Sequence, residues 1–459
     1  MRAEISEKSS TSRAARESFP LLTDPVSEES LPLFTENLRR GAKPRAEWMC
    51  GVEVELIGYD RARDYARLSP AQVQRVLAGF APSSNDLVFE QNLLVEVNAG
   101  QMNRLTVEPG GQIEFSGAPQ RSLRDVEREL RRFISRLSEI GDANDFVFLA
   151  TGFDPLRTLA EQQWFPKQRY AVMRPYLAGR GARAWDMMTR TAAVQCNLDY
   201  GDAEDAAKKF LVANRLAPVV TAIFANSPFE EGRPSGYKST RAAAWLETDP
   251  ARSGIAPPAL SDDFTPESFV EYVCATPMIF VQREGKYSDA PAGLKFRDFL
   301  ARGCGSIQPL FGDWADHLTT IFTDARLKQH LELRSTDCND LEMTLALQAL
   351  WIGLLYDPST LDEALRLAPR LTREDAHELR VEVARHALDA RHAGVDVLAL
   401  AREAVGLAAR GLRTVAPEEV AYLDVLGERV VDEGVSPADI LLREAGGDAA
   451  RAVERLRVA

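Results

Sequence analysis

Cysteine and histidine are scarce in this chain, with five of each among 459 residues. The cysteines are Cys50, Cys196, Cys274, Cys304 and Cys338. They form no CxxC pair, and an odd number of scattered thiols suits neither a disulfide framework nor a zinc site. The histidines lie between His317 and His392 without a spacing such as HExxH. These absences disfavour a site built on histidine or zinc, and we expect a reducing, cytoplasmic location.

Long apolar runs and an excess of positive charge are also missing. No stretch approaches the roughly 20 apolar residues that a membrane-spanning helix needs. The net charge is −13, which disfavours a general nucleic-acid-binding protein. An acidic surface still permits an anionic ligand, because a local group of arginines or metal ions can override the overall charge. We therefore expect small-molecule ligands, no membrane and no nucleic acid.

Three regions differ in composition. Residues 1–27 are rich in Ser, Arg and Glu, lack the apolar core of a secretory signal, and are predicted to form a disordered tail. Residues 28–338 mix strand-like and helix-like patterns without regular alternation, which predicts an α+β catalytic core. Residues 339–459 are rich in Ala, Leu, Arg and Glu, and are predicted to be helical and to cover the sheet within the same domain.

Apolar residues recur with helical spacing in several segments. The predicted helices are Leu123–Ile140, Asp202–Ala225, Leu341–Tyr356, Leu361–Leu367, Arg373–Ala390 and Val395–Leu412.

Four strand-like segments place polar side chains on one face. Because alternate residues of a strand point to opposite sides, Glu53 and Glu55 share a face in Gly51–Tyr59. The same alternation groups Gln112, Glu114 and Ser116; Gln195, Asn197 and Asp199; and Glu332 with Arg334. Glu108 stands just before a Pro-Gly-Gly turn. For any single strand, the alternative explanation is an ordinary antiparallel sheet with one solvated face.

The residue types on these faces favour a functional site. Glutamate is a poor strand residue, yet it recurs on three of the four segments, and none of them carries lysine. Within one sheet, two carboxylates about 4 Å apart would repel by roughly 4 kcal/mol at an effective dielectric of about 20. Either some glutamates are protonated or divalent cations neutralise them. Oxygen ligands without His or Cys prefer Mg²⁺ or Mn²⁺, which enzymes use to bind nucleotide triphosphates.

Longer motifs in the same segments resemble one known family. They are GVEVELIGY, LTVEPGGQIEFSGAP, QRYAVMRPYL, WDMMTRTAAVQCNLDY, APVVTAIFANSPFEEGRPSGYKSTRAAAWLETDPARSG, DWADHLTTIFTDARLKQHLELRSTD and WIGLLYD. From about Phe34 into the C-terminal helices, the chain resembles the plant and proteobacterial type of glutamate–cysteine ligase. The most specific motifs are EPGGQ-x-E-x-SGAP and ANSPF-x-EG-x-P-x-G.

This resemblance implies a fold and a reaction. The fold is a glutamine synthetase-like core, in which a curved, mostly antiparallel sheet forms a funnel-shaped active site with helices outside. ATP phosphorylates the γ-carboxylate of glutamate with Mg²⁺ or Mn²⁺ present, and the amine of cysteine then attacks the acyl phosphate. Two alternatives stay open: a related carboxylate–amine ligase with another acceptor, and an inactive homologue with a binding or regulatory role. A monomer or a homodimer is expected.

The resemblance also implies roles for individual residues. The five predicted metal ligands are Glu53, Glu55, Glu108, Glu114 and Glu332. Arg334 is the predicted catalytic residue, facing the transferring phosphoryl group, and Arg169 is predicted to bind the nucleotide. The predicted substrate-binding residues are Tyr170, Arg174, Gln195, Arg241 and Trp245. Arg241 is expected to bind the α-carboxylate of glutamate, and Gln195 stands where some relatives have a metal-binding histidine.

Structural roles are the alternative for each of these residues. A glutamate would then be a solvated strand residue, Arg169 or Arg174 a surface ion pair, and Trp245 part of the core. For Asn226–Phe229 we prefer a structural role, a helix end followed by a turn. For the Gly-Gly of EPGGQ we prefer a tight hairpin over a phosphate-binding loop.

Two departures from the family pattern bear on function. Ala192 and an apolar residue near Leu345 replace cysteines of the regulatory disulfides of the plant enzymes, and Cys304 lacks its partner. We therefore expect no redox switch of that kind. Asp154–Phe165 also departs from the usual loop near the acceptor site, so the resemblance supports the glutamate donor more strongly than the acceptor amine.

Overall fold

The computed structural model describes residues 19–100 and 103–458. Its strands are β1 Cys50–Asp60, β2 Ala66–Arg67, β3 Leu87–Glu90, β4 Leu93–Asn98, β5 Arg104–Val107, β6 Ile113–Ser116, β7 Phe146–Leu149, β8 Ala193–Leu198, β9 Phe229–Glu230, β10 Arg233–Pro234, β11 Ser253–Gly254, β12 Phe280–Arg283, β13 Lys286–Asp289, β14 Phe322–Thr323, β15 Ala325–Leu327, β16 Leu331–Asp337, β17 Arg391–His392 and β18 Val395–Asp396. Its helices are α1 Leu31–Arg39, α2 Pro70–Phe80, α3 Leu123–Asn144, α4 Gln168–Ala178, α5 Ala184–Arg190, α6 Ala203–Ile223, α7 Thr240–Leu246, α8 Pro266–Ala275, α9 Phe296–Arg302, α10 Phe311–Leu318, α11 Leu341–Leu355, α12 Pro358–Leu367, α13 Arg373–His386, α14 Val397–Val415, α15 Asp424–Leu426, α16 Pro437–Ala445 and α17 Ala449–Leu456.

A ten-stranded sheet lies at the centre of the structure, with the order β15-β16-β8-β1-β6-β5-β4-β3 and with β2 and β7 paired to β1. All of its ladders are antiparallel. The α+β fold with a mostly antiparallel sheet is therefore confirmed. The four polar-faced segments become the neighbouring strands β16, β8, β1 and β6, so their polar faces join into one surface.

The Pro-Gly-Gly turn is a tight hairpin between β5 and β6, as expected. The backbone N–H of Glu108 donates to Gln112 O (3.0 Å), and Gly111 adopts a φ of +78°. Gly110 passes so close to α5 that an added Cβ would overlap the backbone of Thr189. The two glycines therefore serve the turn and its close packing rather than a ligand.

The predicted helices appear with shifted ends. α11 packs against β8 and β1 of the sheet, and thirteen of its residues are buried, from Met343 to Leu355. A helix that is apolar on all sides belongs inside the protein rather than on its surface. α11 lies close to α14, where added Cβ atoms at Gly353 and Gly411 would each overlap the backbone of the other helix. One buried apolar cluster joins these helices to the sheet.

The N-terminal segment packs on the body of the protein before the predicted boundary at residue 27. Phe19 contacts Phe311 edge to face, with ring centroids 5.3 Å apart, and Val26 N donates to Pro309 O (3.1 Å). Residues 1–18 of the predicted tail lie outside the described residues. All five cysteines are free thiols. Among the described helices, none has both the length and the apolar character to cross a membrane.

Candidate active site

A cavity of about 390 Å³ opens on the polar surface formed by β16, β8, β1 and β6. Its acidic lining residues are the five predicted metal ligands, Glu53, Glu55, Glu108, Glu114 and Glu332. Its basic lining residues are Lys167, Arg169, Arg241, Arg326, Lys328 and Arg334. An acidic protein thus concentrates cations and carboxylates in one place.

The sheet orients the carboxylates of β1 through donors on β8. Asn197 Nδ2 donates to Glu53 Oε1 (2.8 Å), and the backbone N–H of Ala193 donates to Glu55 Oε2 (2.8 Å). On the other side of β1, Glu114 lies directly opposite Glu55 in the antiparallel register. Because directly opposite residues point to the same face, the carboxylates of Glu55 and Glu114 both face the cavity.

Burial raises the pKa of four of the five glutamates. Burial in the cavity wall, with repulsion from neighbouring carboxylates, raises the pKa of Glu53 and of Glu114 from 4.5 to about 7. The same causes raise the pKa of Glu55 well above its ordinary value. Burial also raises the pKa of Glu108. These groups favour a bound proton or a bound cation. As they stand, no three acidic, His or Cys side chains within the described ranges converge closely enough to hold a metal ion.

Glu332 differs, because three cations surround it. Arg326 binds it through two nitrogens, with Nε 2.5 Å from Oε2 and Nη2 2.9 Å from Oε1. Lys328 Nζ and Arg334 Nη1 lie 3.1 Å and 3.2 Å from its Oε1. Burial pushes the pKa of Glu332 upward, but these cations together hold it well below its ordinary value. Glu332 is therefore an ionised, fully paired carboxylate in this structure.

Arg334 interacts electrostatically with most of the site. Its Nη1 donates to Gln195 Oε1 (2.7 Å). Burial lowers its pKa, yet Glu332, Glu53, Glu55 and Glu108 raise it above its ordinary value. Arg334 therefore stays charged among the glutamates.

Helix α7 carries two buried donors without acceptors. Arg241 Nη2 donates to the backbone O of Arg334 (2.8 Å), and the Arg241 guanidinium lies 6.0 Å from the Trp245 ring. Arg241 Nε and Trp245 Nε1 are both buried and have no hydrogen-bond partner among the described residues. An unpaired buried donor is costly, so the two positions fit an acceptor such as a carboxylate.

The start of α4 lies against β5. Tyr170 Oη and Lys167 Nζ both donate to Val107 O, at 2.5 Å and 3.2 Å, and Arg169 Nη2 donates to Thr319 Oγ1 (2.8 Å). Arg174, one turn later, is exposed and lies outside the cavity. Its guanidinium packs against two tryptophan rings, Trp164 at 4.2 Å and Trp185 at 5.1 Å.

The structure thus brings every predicted site residue except Arg174 to one cavity. It adds Lys167, Arg326 and Lys328, which the sequence reasoning missed. For Arg326 a signal existed, because the short β15–β16 hairpin places it directly opposite Glu332. None of the cavity-lining residues comes from Asp154–Phe165, the segment that departs from the family pattern. Phe165 does support the site, since its N–H donates to Pro109 O (2.8 Å) in the hairpin.

Several known proteins resemble this chain in sequence. The model of glutamate–cysteine ligase family 2 matches residues 49–456. Glutamate–cysteine ligase B, chloroplastic, of Oryza sativa subsp. japonica is 36% identical over 426 residues, covering 92% of this chain and 84% of the relative. The chloroplastic enzyme of Nicotiana tabacum is 36% identical over 445 residues, covering 94% and 82%.

A solved structure shares the fold at low sequence identity. The crystal structure of glutamate–cysteine ligase from Francisella tularensis, in complex with AMP, superposes with a TM-score of 0.52 at 13% identity, covering 89% of this chain and 87% of that one. The family match spans both the sheet and the C-terminal helices, and so it includes every residue of the cavity. The chain therefore belongs to glutamate–cysteine ligase family 2.

Proposed function

We propose that this protein uses ATP to join the γ-carboxylate of glutamate to the amine of cysteine through a γ-glutamyl phosphate. The observation that carries the proposal is the cavity in which five glutamates meet six basic residues, one of which is Arg334. Activation is needed because a free carboxylate is a poor acyl donor, and phosphorylation provides a leaving group. The protein contributes positions and charges for both steps.

The unpaired donors on α7 fit the α-carboxylate of glutamate. Neither Arg241 Nε nor Trp245 Nε1 has an acceptor within residues 19–100 and 103–458, and a bound carboxylate would supply oxygens to both. Arginine suits this role because its planar guanidinium binds carboxylates through two nitrogens. Bound in this way, glutamate extends its γ-carboxylate toward Arg334, whose backbone O already accepts from Arg241.

The remaining cations fit the phosphates of ATP. Arg334 lies where negative charge develops during phosphoryl transfer, and Lys167, Arg169 and Lys328 line the same cavity. An apolar wall of Met173, Met187, Met188, Trp245 and Phe322 borders these charges. That wall limits the access of water, which would otherwise hydrolyse the acyl phosphate.

Mg²⁺ fits four of the five predicted ligands. Glu53, Glu55 and Glu114 offer hard oxygen donors whose pKa values are raised by burial and by repulsion between carboxylates, and a bound cation would relieve that repulsion. Glu108 offers a fourth donor, whose pKa is raised by burial although Lys167, Arg169 and Arg334 lower it. Glu332 fits less well, because Arg326, Lys328 and Arg334 already pair with it. When bound, Mg²⁺ would neutralise the phosphates and the transferring phosphoryl group. Mn²⁺ would suit the same donors.

Turnover assays test the proposal directly. We expect ADP release with ATP, Mg²⁺ and glutamate to depend on cysteine, and mass spectrometry to detect γ-glutamylcysteine. A panel of other amines tests the acceptor, for which the Asp154–Phe165 segment departs from the family pattern. Turnover only with another amine would keep the ligase chemistry and change the substrate. No turnover with any amine would contradict the proposal and favour a binding or regulatory role.

A further inference from the structure

Asp337 is a buried carboxylate at the end of β16 that the reaction described above does not use. Only 1% of its surface is exposed. Its Oδ2 accepts hydrogen bonds from the backbone N–H of Asn226 (2.8 Å) and from Ser227 Oγ (2.6 Å). Its Oδ1 accepts from Ser239 Oγ (2.8 Å). Three segments that carry no other assigned chemical role, ANSPF, KST and STD, thus meet at one carboxylate.

Both serine hydroxyls connect Asp337 to the first turn of α7 through hydrogen bonds. Ser239 is the N-cap of this helix, and its Oγ accepts from the backbone N–H of Ala242 (3.0 Å). Ser227 Oγ accepts from the backbone N–H of Arg241 (3.3 Å). Because each hydroxyl donates to Asp337 and accepts from α7, the carboxylate fixes the direction of both hydrogen bonds.

The surroundings leave Asp337 no freedom to turn away. A Cβ added to Gly152 would overlap the Asp337 side chain, so the glycine makes room for the carboxylate. After the effect of burial, Asp337 is the charge that acts most strongly on the pKa of Arg241, and Arg241 is the charge that acts most strongly on the pKa of Asp337. Burial raises the pKa of Asp337 and lowers that of Arg241, and each of the two charges favours the ionised form of the other.

Helix α7 has only seven residues, and helices this short are unstable without tertiary contacts. Strand β16 holds it at two points: Asp337 binds its first turn through the serines, and the backbone O of Arg334 accepts from Arg241. We propose that Asp337 is a positioning residue for the glutamate-binding end of the cavity, holding α7 so that Arg241 and Trp245 face the substrate. This inference depends on the proposed function of that cavity.

Steady-state kinetics of Asp337→Asn test the inference, with Asp340→Asn as the matched control. Asp340 lies three residues later, is exposed, and caps α11 by accepting from Met343 N (2.9 Å), a role that asparagine performs equally well. For Asp337→Asn we expect the KM for glutamate to rise by roughly tenfold to a hundredfold, since a small displacement of α7 weakens the binding of the glutamate α-carboxylate. The KM for ATP should change by less than about twofold, and the control should match the wild type.

A milder variant keeps the test valid if Asp337→Asn does not fold. Ser239→Ala removes one of the two serine links and leaves the buried charge in place, so we expect the same selective rise in the glutamate KM, at about threefold to tenfold. If the wild type is active and the KM values for glutamate and ATP change equally, or neither changes, the inference is wrong. A wild type without glutamate-dependent turnover would instead contradict the proposed function, which separates the two failures.

Discussion

Strand β8 separates two regions with opposite chemistry. On one side, the side chains of Gln195 and Asn197 face the charged cavity and bind Arg334 and Glu53. On the other side, Val194 and Cys196 are buried against helix α11, whose buried residues include only Thr344 and Gln348 as polar side chains. Even Gln348 is used structurally, since its Nε2 donates to Gln195 O (3.2 Å) on β8.

The difference shows where this protein gains stability and where it loses it. Burial of apolar area by α11 and α14 favours the folded state, at roughly 25 cal/mol per Å². The cavity works in the opposite direction, because burying several carboxylates close to one another destabilises the fold. A site that must bind cations and phosphates has to keep such charges, and the apolar helices on the other face of the sheet offset their cost.

Removing a glutamate should affect catalysis in one region and not in the other. We expect Glu55→Gln to lower kcat by roughly 10²–10³-fold, because it removes one of the proposed ligands of the Mg²⁺ that would neutralise the transferring phosphoryl group. Glu342→Gln, on the exposed first turn of α11, should leave kcat unchanged. Steady-state assays at saturating ATP and glutamate measure both. A Glu55→Gln enzyme with wild-type turnover would remove Glu55 from the candidate site.

Adding a methyl group where α11 and α14 touch should lower the stability of the protein. We expect Gly353→Ala to lower the free energy of unfolding by about 1–3 kcal/mol, because the new Cβ would force α11 away from α14. Gly406→Ala is the matched control, since its Cβ would meet no atom within 4 Å, and a helical Gly→Ala change stabilises by roughly 0.5–1 kcal/mol. Urea unfolding measures both. A neutral Gly353→Ala would contradict the close approach of the helices.

Much of this contrast could be predicted from local sequence, and the exceptions have a common cause. The alternation of Glu53 and Glu55 along one strand placed both correctly, because strand periodicity is a local property. Lys167 and Lys328 were missed because they enter the cavity from segments outside the four polar strands. Arg174 was assigned to the substrate, but two tryptophans hold it outside the cavity, which no periodicity reveals.

The burial of α11 can be understood from its own sequence. Its apolar residues surround the helix on all sides, and this pattern indicates a helix that is buried between the sheet and further helices. The turn predicted at Asn226–Phe229 is wrong, because α6 already ends at Ile223 and these residues lead without a turn into β9. Asn226 and Ser227 bind Asp337 instead. Their connection to Asp337 could not be read from sequence, because it depends on side chains that lie about a hundred residues apart.

The pH dependence of stability tests whether the cavity carries uncompensated charge. The pKa of Glu114 is raised from 4.5 to about 7, so the folded state keeps a proton that the unfolded state loses in this interval. This group therefore makes stability fall as pH rises from about 4.5 to 7. We expect Glu114→Gln, which is neutral throughout, to be more stable than the wild type at pH 8 by on the order of 1 kcal/mol, and similar to it near pH 5.

Urea unfolding across this pH range, with a metal chelator present, measures the difference in stability between Glu114→Gln and the wild type. Mg²⁺ is expected to reduce the wild-type loss at high pH, because it competes with protons for the same carboxylate, and to do so less in Glu114→Gln. A variant that is less stable than the wild type at pH 8 would contradict the raised pKa of Glu114.

Glu419 can be compared directly with Glu114, because its pKa is also raised to about 7 but it lies outside the cavity. The expected change in stability is the smallest of those considered. Its carboxylate accepts from the backbone N–H of Leu123 (2.6 Å) at the start of α3, and it is buried mainly among residues outside the cavity. The folded state again holds the extra proton, so stability falls as pH rises from about 4.5 to 7. We expect Glu419→Gln to flatten this fall by a few tenths of a kcal/mol to about 1 kcal/mol, since glutamine still accepts from Leu123.

Mg²⁺ distinguishes the two raised carboxylates. It should change the pH dependence that Glu114 contributes and leave the contribution of Glu419 untouched, because no phosphate, metal or substrate binds at the start of α3 in the proposed reaction. Glu419→Gln should also keep wild-type kcat and KM values for glutamate and ATP. If Mg²⁺ altered both contributions equally, a raised pKa in this protein would report burial alone. The raised pKa values of the cavity carboxylates would then no longer support a metal site.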